Sequence, residues 1–343
     1  MGLKFKDIVT KKETSLSELR DKILAVDTMN LLYQFLTTIR GPDGSAFTDK
    51  EGRVTSHLIG LFNRTTTLME HGLKLIFVFD GKAPDIKKKT WEKRSQAKKQ
   101  ASLLLEKAKE DGDLASMKRY SSRTVILTKE MIEDAKKVLT GLGLPIVQAP
   151  SEGEAQTAFM AKEGDAFASI SQDYDNLIFG CPTLIRNLSV VGKRKKAGTL
   201  GYTIVKPEMI LLEDVLKELK LTQDELILLA ILVGTDYNPG GIKGIGPKKG
   251  LKLVQENKDV ESIFTQVEWD KHYPDLDWKV IFDTIKHIPT TKDYNLEWKK
   301  IDEEELLTLL KSFDFHEERV KSKLDKLTKQ QTKLNQKGLS SFF

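Results

Sequence analysis

The sequence has one cysteine, Cys181, five histidines and no long apolar run. A single cysteine excludes an internal disulfide and a thiolate-rich zinc site, and the histidines show no HExxH or similar spacing. Any metal would therefore be held by oxygen ligands. No segment approaches the roughly 20 apolar residues of a membrane helix. The first ten residues, MGLKFKDIVT, lack the apolar stretch of a secretory signal, and Lys6 breaks the N-myristoylation pattern. We therefore expect a soluble, intracellular protein.

Basic residues are concentrated in one part of the chain. Residues 82–123 contain 13 Lys and Arg against 6 Asp and Glu, a local charge of +7 in a chain whose total is +5. Such a segment is typical of an element that binds a polyanion. A solvated helical face would have the same composition and stays open as the alternative.

Short apolar runs alternate with segments of helical spacing. KILAV (residues 22–26), KLIFVF (74–79) and DAFASI (165–170) are strand candidates, and NLLYQFLTTIR after the first of them has helical spacing. This alternation predicts an α/β fold with a parallel sheet covered on both faces. The basic segment 86–120 interrupts it, so we expect an excursion from the sheet edge in which Leu103–Leu105 is the part that packs. Residues 187–204 predict a hairpin with KRKK near its tip.

Acidic residues follow the predicted strands. Asp27 ends the first, Asp80 ends the second, and Asp173 and Asp175 follow the third. In an extended strand residues i and i+2 point to the same side, so the last two would lie close together if the strand persists. Such a pair is tolerated when it is solvated, when one member is protonated, or when a cation lies between. Ligands of open α/β sheets bind at the carboxyl ends of the strands, where these acids fall.

Three further acids belong to two other segments. In PSEGEAQTAF, Ser151 could cap a helix whose first turn would bring Glu152 and Glu154 to the sheet edge. A capping box, in which Glu154 only bonds the backbone, is the alternative. ELILLAILVGTDYNPGG predicts an apolar helix followed by a glycine-rich turn that carries Asp236.

Seven carboxylates at one sheet edge, without His or Cys, form a hard ligand set suited to Mg²⁺ or Mn²⁺. Two such ions about 4 Å apart can deprotonate a water and stabilise the leaving oxygen of a phosphodiester. Basic residues beside the site can stabilise transition-state charge, and Lys87 and Arg94 would share one helical face.

The segment GGIKGIGPKKGLKLVQEN predicts a helix-hairpin-helix clamp for a DNA backbone. Gly244 and Gly246 permit a tight turn, Pro247 suits the first position of a helix, and Lys248 and Lys249 add positive charge. A plain turn between two helices is the alternative.

These residues together resemble a known family, the flap endonucleases, which are structure-specific 5′ nucleases of DNA replication and repair. The resemblance covers almost the whole chain. It rests on the motifs VDTMNLLYQF, TSHLIGLFNRT, FVFDGKAPDIKKKTWEKR, APSEGEAQ, SQDYDNLIFG and GTDYNPGGIKGIGPKK, in that order.

The resemblance implies a PIN-like nuclease core with two Mg²⁺ ions, for which Mn²⁺ could substitute, held by the seven carboxylates. It makes Lys87 and Arg94 the phosphate-contacting pair of a helical arch, residues 82–123, through which a single-stranded 5′ flap threads. DNA contacts are then expected from Gly2, Tyr33 and Arg64, from the hairpin residues Lys193 and Arg194, and from Gly244, Gly246, Lys248 and Lys249. For Tyr33, ordinary core packing is the alternative.

The final residues, NQKGLSSFF, end in two aromatics. In a 3₁₀-like turn Leu339 and Phe342 would form one apolar knob, with Phe343 beside it and Gln336 at its base. This pattern resembles the peptide that flap endonucleases insert into a PCNA-type sliding clamp. The alternative is that the two aromatics fold back on their own core. The end at Phe343 resembles the archaeal pattern and predicts a cytoplasmic, chromosome-associated protein.

We therefore expect a single nuclease domain over residues 1–330, with an N-terminal part to about 100, an internal part from 124 to 260, and a flexible tail over 331–343. The predicted function is a metal-dependent 5′ flap endonuclease, monomeric without the clamp, with 5′-3′ exonuclease activity possible. A bubble-cutting or gap-cutting nuclease of the same superfamily is a related alternative. A catalytically silent partner of the clamp that binds branched DNA is a rival of another class.

Overall fold

The computed structural model describes residues 3–190, 192–195, 202–257 and 259–340. The strands are β1 (Lys12–Glu13), β2 (Ile23–Asp27), β3 (Lys74–Phe79), β4 (Ile146–Gln148), β5 (Ala168–Ile170), β6 (Thr183–Arg186), β7 (Gly192–Lys195), β8 (Tyr202–Val205) and β9 (Glu208–Leu211). The helices are α1 (Thr28–Thr38), α2 (Ser56–Glu70), α3 (Lys88–Glu110), α4 (Leu114–Ser121), α5 (Lys129–Gly141), α6 (Gly153–Glu163), α7 (Asp175–Ile178), α8 (Leu212–Leu219), α9 (Gln223–Val233), α10 (Pro247–Glu256), α11 (Val260–Gln266), α12 (Trp269–His272), α13 (Trp278–Lys286), α14 (Glu303–Lys311) and α15 (Glu317–Ser340). Short 3₁₀ turns cover Asp85–Lys87 and Leu188–Val190.

Seven strands form one sheet in the order β1-β9-β6-β5-β2-β3-β4. The five strands from β6 to β4 are parallel, and β9 and β1 are added antiparallel at one edge. The predicted α/β fold with a parallel sheet is confirmed. The antiparallel edge was not predicted, because β1 consists of two exposed charged residues and has no apolar pattern.

Both faces of the sheet are covered, and β2 shows why. Successive side chains of a strand point to opposite faces. Leu24 and Val26 pack in one cluster with Leu32 of α1 and Leu61 of α2, whereas Ala25 packs in another with Met160 of α6. A strand between two helical layers has to be apolar throughout, which is the pattern of the three predicted runs.

The direction of the chain across the sheet changes beside β2. The chain passes from β2 to its neighbour β3 and then to β4, but β5 and β6 lie on the other side of β2. The carboxyl ends of β2 and β5 therefore flank a topological switch point, where open sheets of this kind bind ligands.

The basic segment forms α3 and α4, joined at residues 111–113. The excursion is confirmed as helical, but the expected packing of its leucine run is wrong. Leu103 is 74% exposed and Leu104 is 44% exposed, whereas Ala101 and Ala108 are buried. Small residues make the close contact because α3 lies against α4.

The C-terminal part packs back on the N-terminal half. Residues 288–302 are not helical and run along the surface, where the Trp298 indole N–H donates a hydrogen bond to the Leu75 carbonyl at 3.2 Å. Helix α15 follows, and the Phe315 ring just before it meets Phe62 of α2 edge-on, with centroids 6.5 Å apart. The sheet edge that carries the acids stays open.

Two other expectations concern the hairpin and the tail. Strands β7 and β8 form the predicted hairpin, but the side chains of Lys193 and Arg194 lie outside the described residues. The backbone of residues 331–340 continues α15, which differs from the expected loose tail with a 3₁₀ turn. The side chains of Gln336 and Leu339, and the whole of Gly2, Phe342 and Phe343, are also outside the description. Within the described part of the chain, every helix is too short or too polar to cross a bilayer.

Candidate active site

The first two acids stand where the central strands end. Asp27 is the last residue of β2 and also caps α1, since its carboxylate accepts a hydrogen bond from the Asn30 N–H at 3.1 Å. Asp80 follows β3 and accepts from the Gly153 N–H at 2.8 Å. Each carboxylate is therefore fixed by a backbone donor at the start of a helix.

The glutamates belong to the start of α6. Glu152 occupies the capping position and Glu154 lies in the first turn, but the helix has no side-chain cap. The expected cap by Ser151 is therefore wrong, because the helix starts one residue later than that cap requires. Without a side-chain cap there is also no capping box, so Glu154 is free to face the site.

Asp173 and Asp175 come together by a different route from the one predicted. Strand β5 ends at Ile170, Asp173 lies in the turn that follows, and Asp175 begins α7. The extended-strand reasoning is wrong, but the proximity is present. Carboxylate oxygens of Glu154, Asp173 and Asp175 all lie within 4.8 Å of one another.

Two cations reach the acids from the arch. The Lys87 ammonium lies 2.6 Å from Glu152 Oε1 and 3.6 Å from Asp236 Oδ2. The Arg94 guanidinium lies 2.6 Å from Asp236 Oδ1, and the Thr90 hydroxyl donates to the Asp236 carbonyl at 2.7 Å. The predicted shared face of Lys87 and Arg94 is present, and it is joined to Asp236 beyond α9.

The crowding of carboxylates changes their titration. Burial, followed by repulsion from Asp80, raises the pKa of Asp27 to about 8. Burial and repulsion from Asp173 raise the pKa of Asp175 to about 7. Burial also raises the pKa of Asp80 and, together with repulsion from Asp175, raises the pKa of Glu154 well above its ordinary value. All of these groups therefore resist carrying their charges together.

Lys87 titrates in the opposite sense. Its burial lowers the pKa of the ammonium, but attraction from Glu152 and Asp236 outweighs burial and raises the pKa overall. Lys87 is thus held as a cation next to the acids. Two cations against seven acids leave a strongly negative site, which favours bound metal ions.

The donor set fits divalent metal ions of the hard type. The ligands are carboxylate oxygens, which Mg²⁺ and Mn²⁺ prefer. One triplet of oxygens already lies within the span that a single ion bridges. An acidic cluster of this composition can hold metal.

Residues behind the acids orient them, and the sequence did not identify these. The Asn30 amide donates to Asp173 Oδ2 at 2.7 Å, and the Ser171 hydroxyl donates to Asp27 Oδ2 at 3.3 Å. The only sequence signal for Asn30 was its position one turn after Asp27 in α1. Its partner is 143 residues away, so spacing could not show the contact.

The backbone of residue 3 also reaches the acids. The Leu3 N–H donates to Asp175 Oδ2 at 3.1 Å. The N-terminal segment therefore lies beside the site, as expected for the neighbour of Gly2.

The acids line a cavity of about 770 Å³ between the sheet edge and the arch. Tyr33 lines it and is 37% exposed, so the alternative of core packing does not hold. Its hydroxyl accepts a hydrogen bond from the Lys98 ammonium at 2.6 Å. The cavity is thus closed on one side by α3 and on the other by the sheet.

The remaining predicted DNA contacts lie away from this cavity. Gly244 has a left-handed φ of +83°, and Gly246 precedes α10, whose first residue is Pro247 as predicted. Lys248 and Lys249 are exposed on that helix. The predicted helix-turn-helix geometry of α9 and α10 is therefore present.

Arg64 lies elsewhere, half-buried on α2. It is near Lys323 of α15, whose pKa is lowered first by burial and also by repulsion from Arg64. This places Arg64 on a second basic surface, separate from the residues that line the acidic cavity.

Comparison with protein families gives two matches. The XPG N-terminal domain matches residues 2–101, and the XPG I-region matches residues 143–236. Together they include all seven acids.

Curated relatives match over the full length. Flap endonuclease 1 of Pyrococcus abyssi is 50% identical over 344 residues, covering 100% of this chain and 98% of the relative. Flap endonuclease 1 of Pyrococcus furiosus is 49% identical over 344 residues, covering 100% and 99%.

Solved structures agree with these relatives. Flap endonuclease-1 from Methanococcus jannaschii has a TM-score of 0.74 at 39% identity, covering 96% of this chain and 98% of that one. The catalytic core of Rad2 in complex with a DNA substrate has a TM-score of 0.70 at 24% identity, covering 95% and 100%. The second match shows a shared fold.

Proposed function

This chain belongs to the flap endonuclease family, and from that premise we propose that it hydrolyses one phosphodiester at the base of a 5′ flap with two Mg²⁺ ions. The observation that carries the proposal is the convergence of seven acids and two arch cations in one cavity. Flap endonuclease activity is favoured over the silent scaffold, because a scaffold has no need of this crowded acidic cluster.

The residues that would hold the ions are the seven carboxylates Asp27, Asp80, Glu152, Glu154, Asp173, Asp175 and Asp236. When bound, two Mg²⁺ ions, or Mn²⁺ in their place, supply an activated water and neutralise charge on the leaving oxygen. The chain's own part is to fix the carboxylates with backbone and side-chain donors before substrate arrives.

Lys87 and Arg94 would contact the scissile phosphate. Both cations lie at the boundary between the acids and the arch cavity. A phosphodiester that enters the site brings negative charge to this boundary, and fixed cations stabilise the further charge that develops during hydrolysis. The catalytic role assigned to both residues rests on this position.

The DNA around the scissile bond would be held by three surfaces. The turn before α10 presents backbone N–H groups and Lys248 and Lys249 to phosphates of the duplex. The hairpin residues Lys193 and Arg194 and the half-buried Arg64 would contact other parts of the backbone. Tyr33, at the cavity wall, and Gly2, beside Leu3, would contact the nucleotides next to the cleaved bond.

The C-terminal residues Gln336, Leu339, Phe342 and Phe343 would bind a PCNA-type sliding clamp. The support is the spacing of one amide and three apolar side chains after a helix that extends to Ser340. The protein would act as a monomer that the clamp recruits. Its curated relatives come from Pyrococcus and similar cells, which supports a cytoplasmic, chromosome-associated location.

Cleavage of an end-labelled 5′-flap duplex tests the proposal, beside matched single-stranded, bubble and nicked substrates. Each substrate is incubated with Mg²⁺ and with EDTA. We expect Mg²⁺-dependent incision at the flap base. Binding of the flap duplex without incision would favour the scaffold, and preferred incision of the bubble would favour the bubble-cutting branch.

A further inference from the structure

The inner face of α3 carries an exposed indole beside the catalytic cations. Trp91 lies four residues after Lys87 and three before Arg94, so all three occupy one side of the helical segment. It lines the same cavity as the acids and is 46% exposed. Neither phosphate binding nor metal binding requires a large apolar ring at this position.

The other tryptophans show what this side chain does when it serves packing. Trp269 is 3% exposed and its indole N–H donates to the Leu276 carbonyl at 2.6 Å, while Trp278 stacks on Phe264 with centroids 4.1 Å apart. Among the described side chains, the Trp91 ring stacks on no aromatic ring and lies under no cation. Its apolar faces are therefore available to a ligand.

The position of Trp91 relative to the acids is fixed. The Thr90 hydroxyl bonds the Asp236 carbonyl, and Arg94 bonds the Asp236 carboxylate. Trp91 lies between these two contacts on the helix. A ring held in this way can accept a planar ligand at a constant distance from the site.

The cavity wall around Trp91 alternates apolar and cationic side chains. Ala97, Ala101 and Leu104 continue along the same face of α3, and Tyr120 lines the cavity from the other arch helix. Arg94, Lys98 and Arg123 line it too. Apolar and aromatic surfaces interleaved with cations are the arrangement that proteins use for single-stranded nucleic acid, because bases stack on the former and phosphates meet the latter.

We propose that Trp91 is a stacking platform for one unpaired base of the flap strand inside the arch. The proposal rests on the proposed function, since it identifies what part of that substrate the cavity wall contacts. The rise of about 4.5 Å from Trp91 to Arg94 lets a base stack on the ring while its phosphate reaches the guanidinium. The platform accepts any base, because every base has an aromatic face.

Flaps that lack a single base test the proposal. An abasic nucleotide is placed in turn at each of the first four flap positions, and kcat/KM for Mg²⁺-dependent incision is compared with that of the intact flap. The enzymes are the natural chain, Trp91→Ala, Trp91→Phe and the control Leu103→Ala. Leu103 is exposed on the same helix but does not line the cavity.

In the natural chain and in Leu103→Ala, we expect an abasic nucleotide at one position to lower kcat/KM by about tenfold. Trp91→Ala should lower kcat/KM for the intact flap by a similar factor and lose the discrimination at that position. Trp91→Phe should retain part of it. Equal slowing of intact and abasic flaps by Trp91→Ala would show that the indole only braces the arch and would overturn the proposal.

Indole fluorescence in EDTA gives a second readout that does not depend on cleavage. Titration with the intact flap duplex should quench emission, and the abasic duplex should quench it less. Trp91→Phe removes this difference, because the other three tryptophans remain. An identical quench by both duplexes would refute stacking, whereas quenching without any incision in Mg²⁺ would contradict the proposed function and leave the stacking site supported.

Discussion

The cost of the active site is concentrated in single side chains. Asp27 is 3% exposed and Asp175 is 6% exposed, and each is surrounded by other carboxylates. Burial and like charge both oppose ionisation. The free protein can relieve this repulsion by retaining protons, and the active protein can relieve it by binding cations.

This conflict predicts an unusual dependence of stability on pH. The pKa of Asp27 rises from 3.8 to about 8 on folding, and that of Asp175 rises to about 7. Between these limits the folded state binds more protons than the unfolded state, so stability is greatest near pH 4 to 5 for these groups and falls as pH rises towards 8. In EDTA we expect the Tm to be about 5 °C lower at pH 8.5 than at pH 6.

Addition of Mg²⁺ at pH 8.5 should restore most of that difference, because the ions replace the protons. Differential scanning calorimetry measures both effects. Asp175→Asn should flatten the pH dependence in EDTA, whereas Asp270→Asn, an exposed acid of α12, should not. A Tm in EDTA that rises from pH 6 to pH 8.5 would contradict the assigned pKa shifts.

Asp173→Ala should remove catalysis and spare DNA binding. A ligand that supports the metal contributes several kcal/mol to transition-state stabilisation, so we expect kcat to fall by at least about a thousandfold. Single-turnover cleavage and a binding titration of the flap duplex in Ca²⁺ measure the two quantities. Asp270→Ala is the matched control, and full activity of Asp173→Ala would disprove the site.

Asn30→Ala tests the residues behind the acids. The Asn30 amide donates to Asp173 Oδ2, and loss of such an orienting bond costs about 10- to 100-fold in metal affinity or activity. We expect the Mg²⁺ concentration for half-maximal activity to rise by about tenfold. Thr37→Ala, whose hydroxyl bonds only backbone carbonyls of α1, serves as the control. An unchanged Mg²⁺ requirement would mean that Asp173 is oriented without Asn30.

At the scale of elements, local pattern and tertiary contact contribute differently. Strands β2 and β3 were predictable because each is a continuous apolar run between two helical layers. The short β1 was not, since it exists only through pairing with β9. The exposure of Leu103 and Leu104 was mispredicted because apolarity was taken to mean burial, although one face of α3 is directed into a solvent-filled cavity.

The same division applies within the site. The acids of the strand ends were predictable from topology, because parallel strands bring their carboxyl ends to one edge. The arrangement of Asp173 and Asp175 was predicted for the wrong reason, since a turn and a helix start replace the extended strand. The contacts of Asn30 and Ser171 join distant segments, so no local pattern contained them.

The turn before α10 is the element that should govern affinity for duplex DNA. Lys248 and Lys249 are exposed beside its amides. Replacement of both by Ala should weaken binding at every flap sequence and reduce the slope of log K against log[salt] by about 1 for each phosphate that is no longer neutralised. Fluorescence anisotropy at several salt concentrations measures the slope. Lys271→Ala on α12 is the control, and an unchanged slope in the double variant would exclude a phosphate interaction there.

At the scale of the whole molecule, the clamp-binding residues are separable from the core. The last buried apolar residue described in α15 is Leu327, so removal of residues 336–343 leaves the packed part intact. We expect basal cleavage to stay within about twofold and stimulation by a PCNA-type clamp to disappear. Phe342→Ala with Phe343→Ala should reproduce this effect. Stimulation that survives the deletion would place the clamp-binding site elsewhere.

The order of the acids along the chain has a consequence for the protein's own synthesis. They extend from residue 27 to residue 236, and the packing of α14 and α15 on the N-terminal half comes later still. Since synthesis proceeds from the N-terminus, a ribosome-bound chain that has emerged only to β5 has neither Asp175 nor Asp236 to complete the ligand set. A nascent chain is therefore harmless to chromosomal DNA, and products of interrupted translation remain inert.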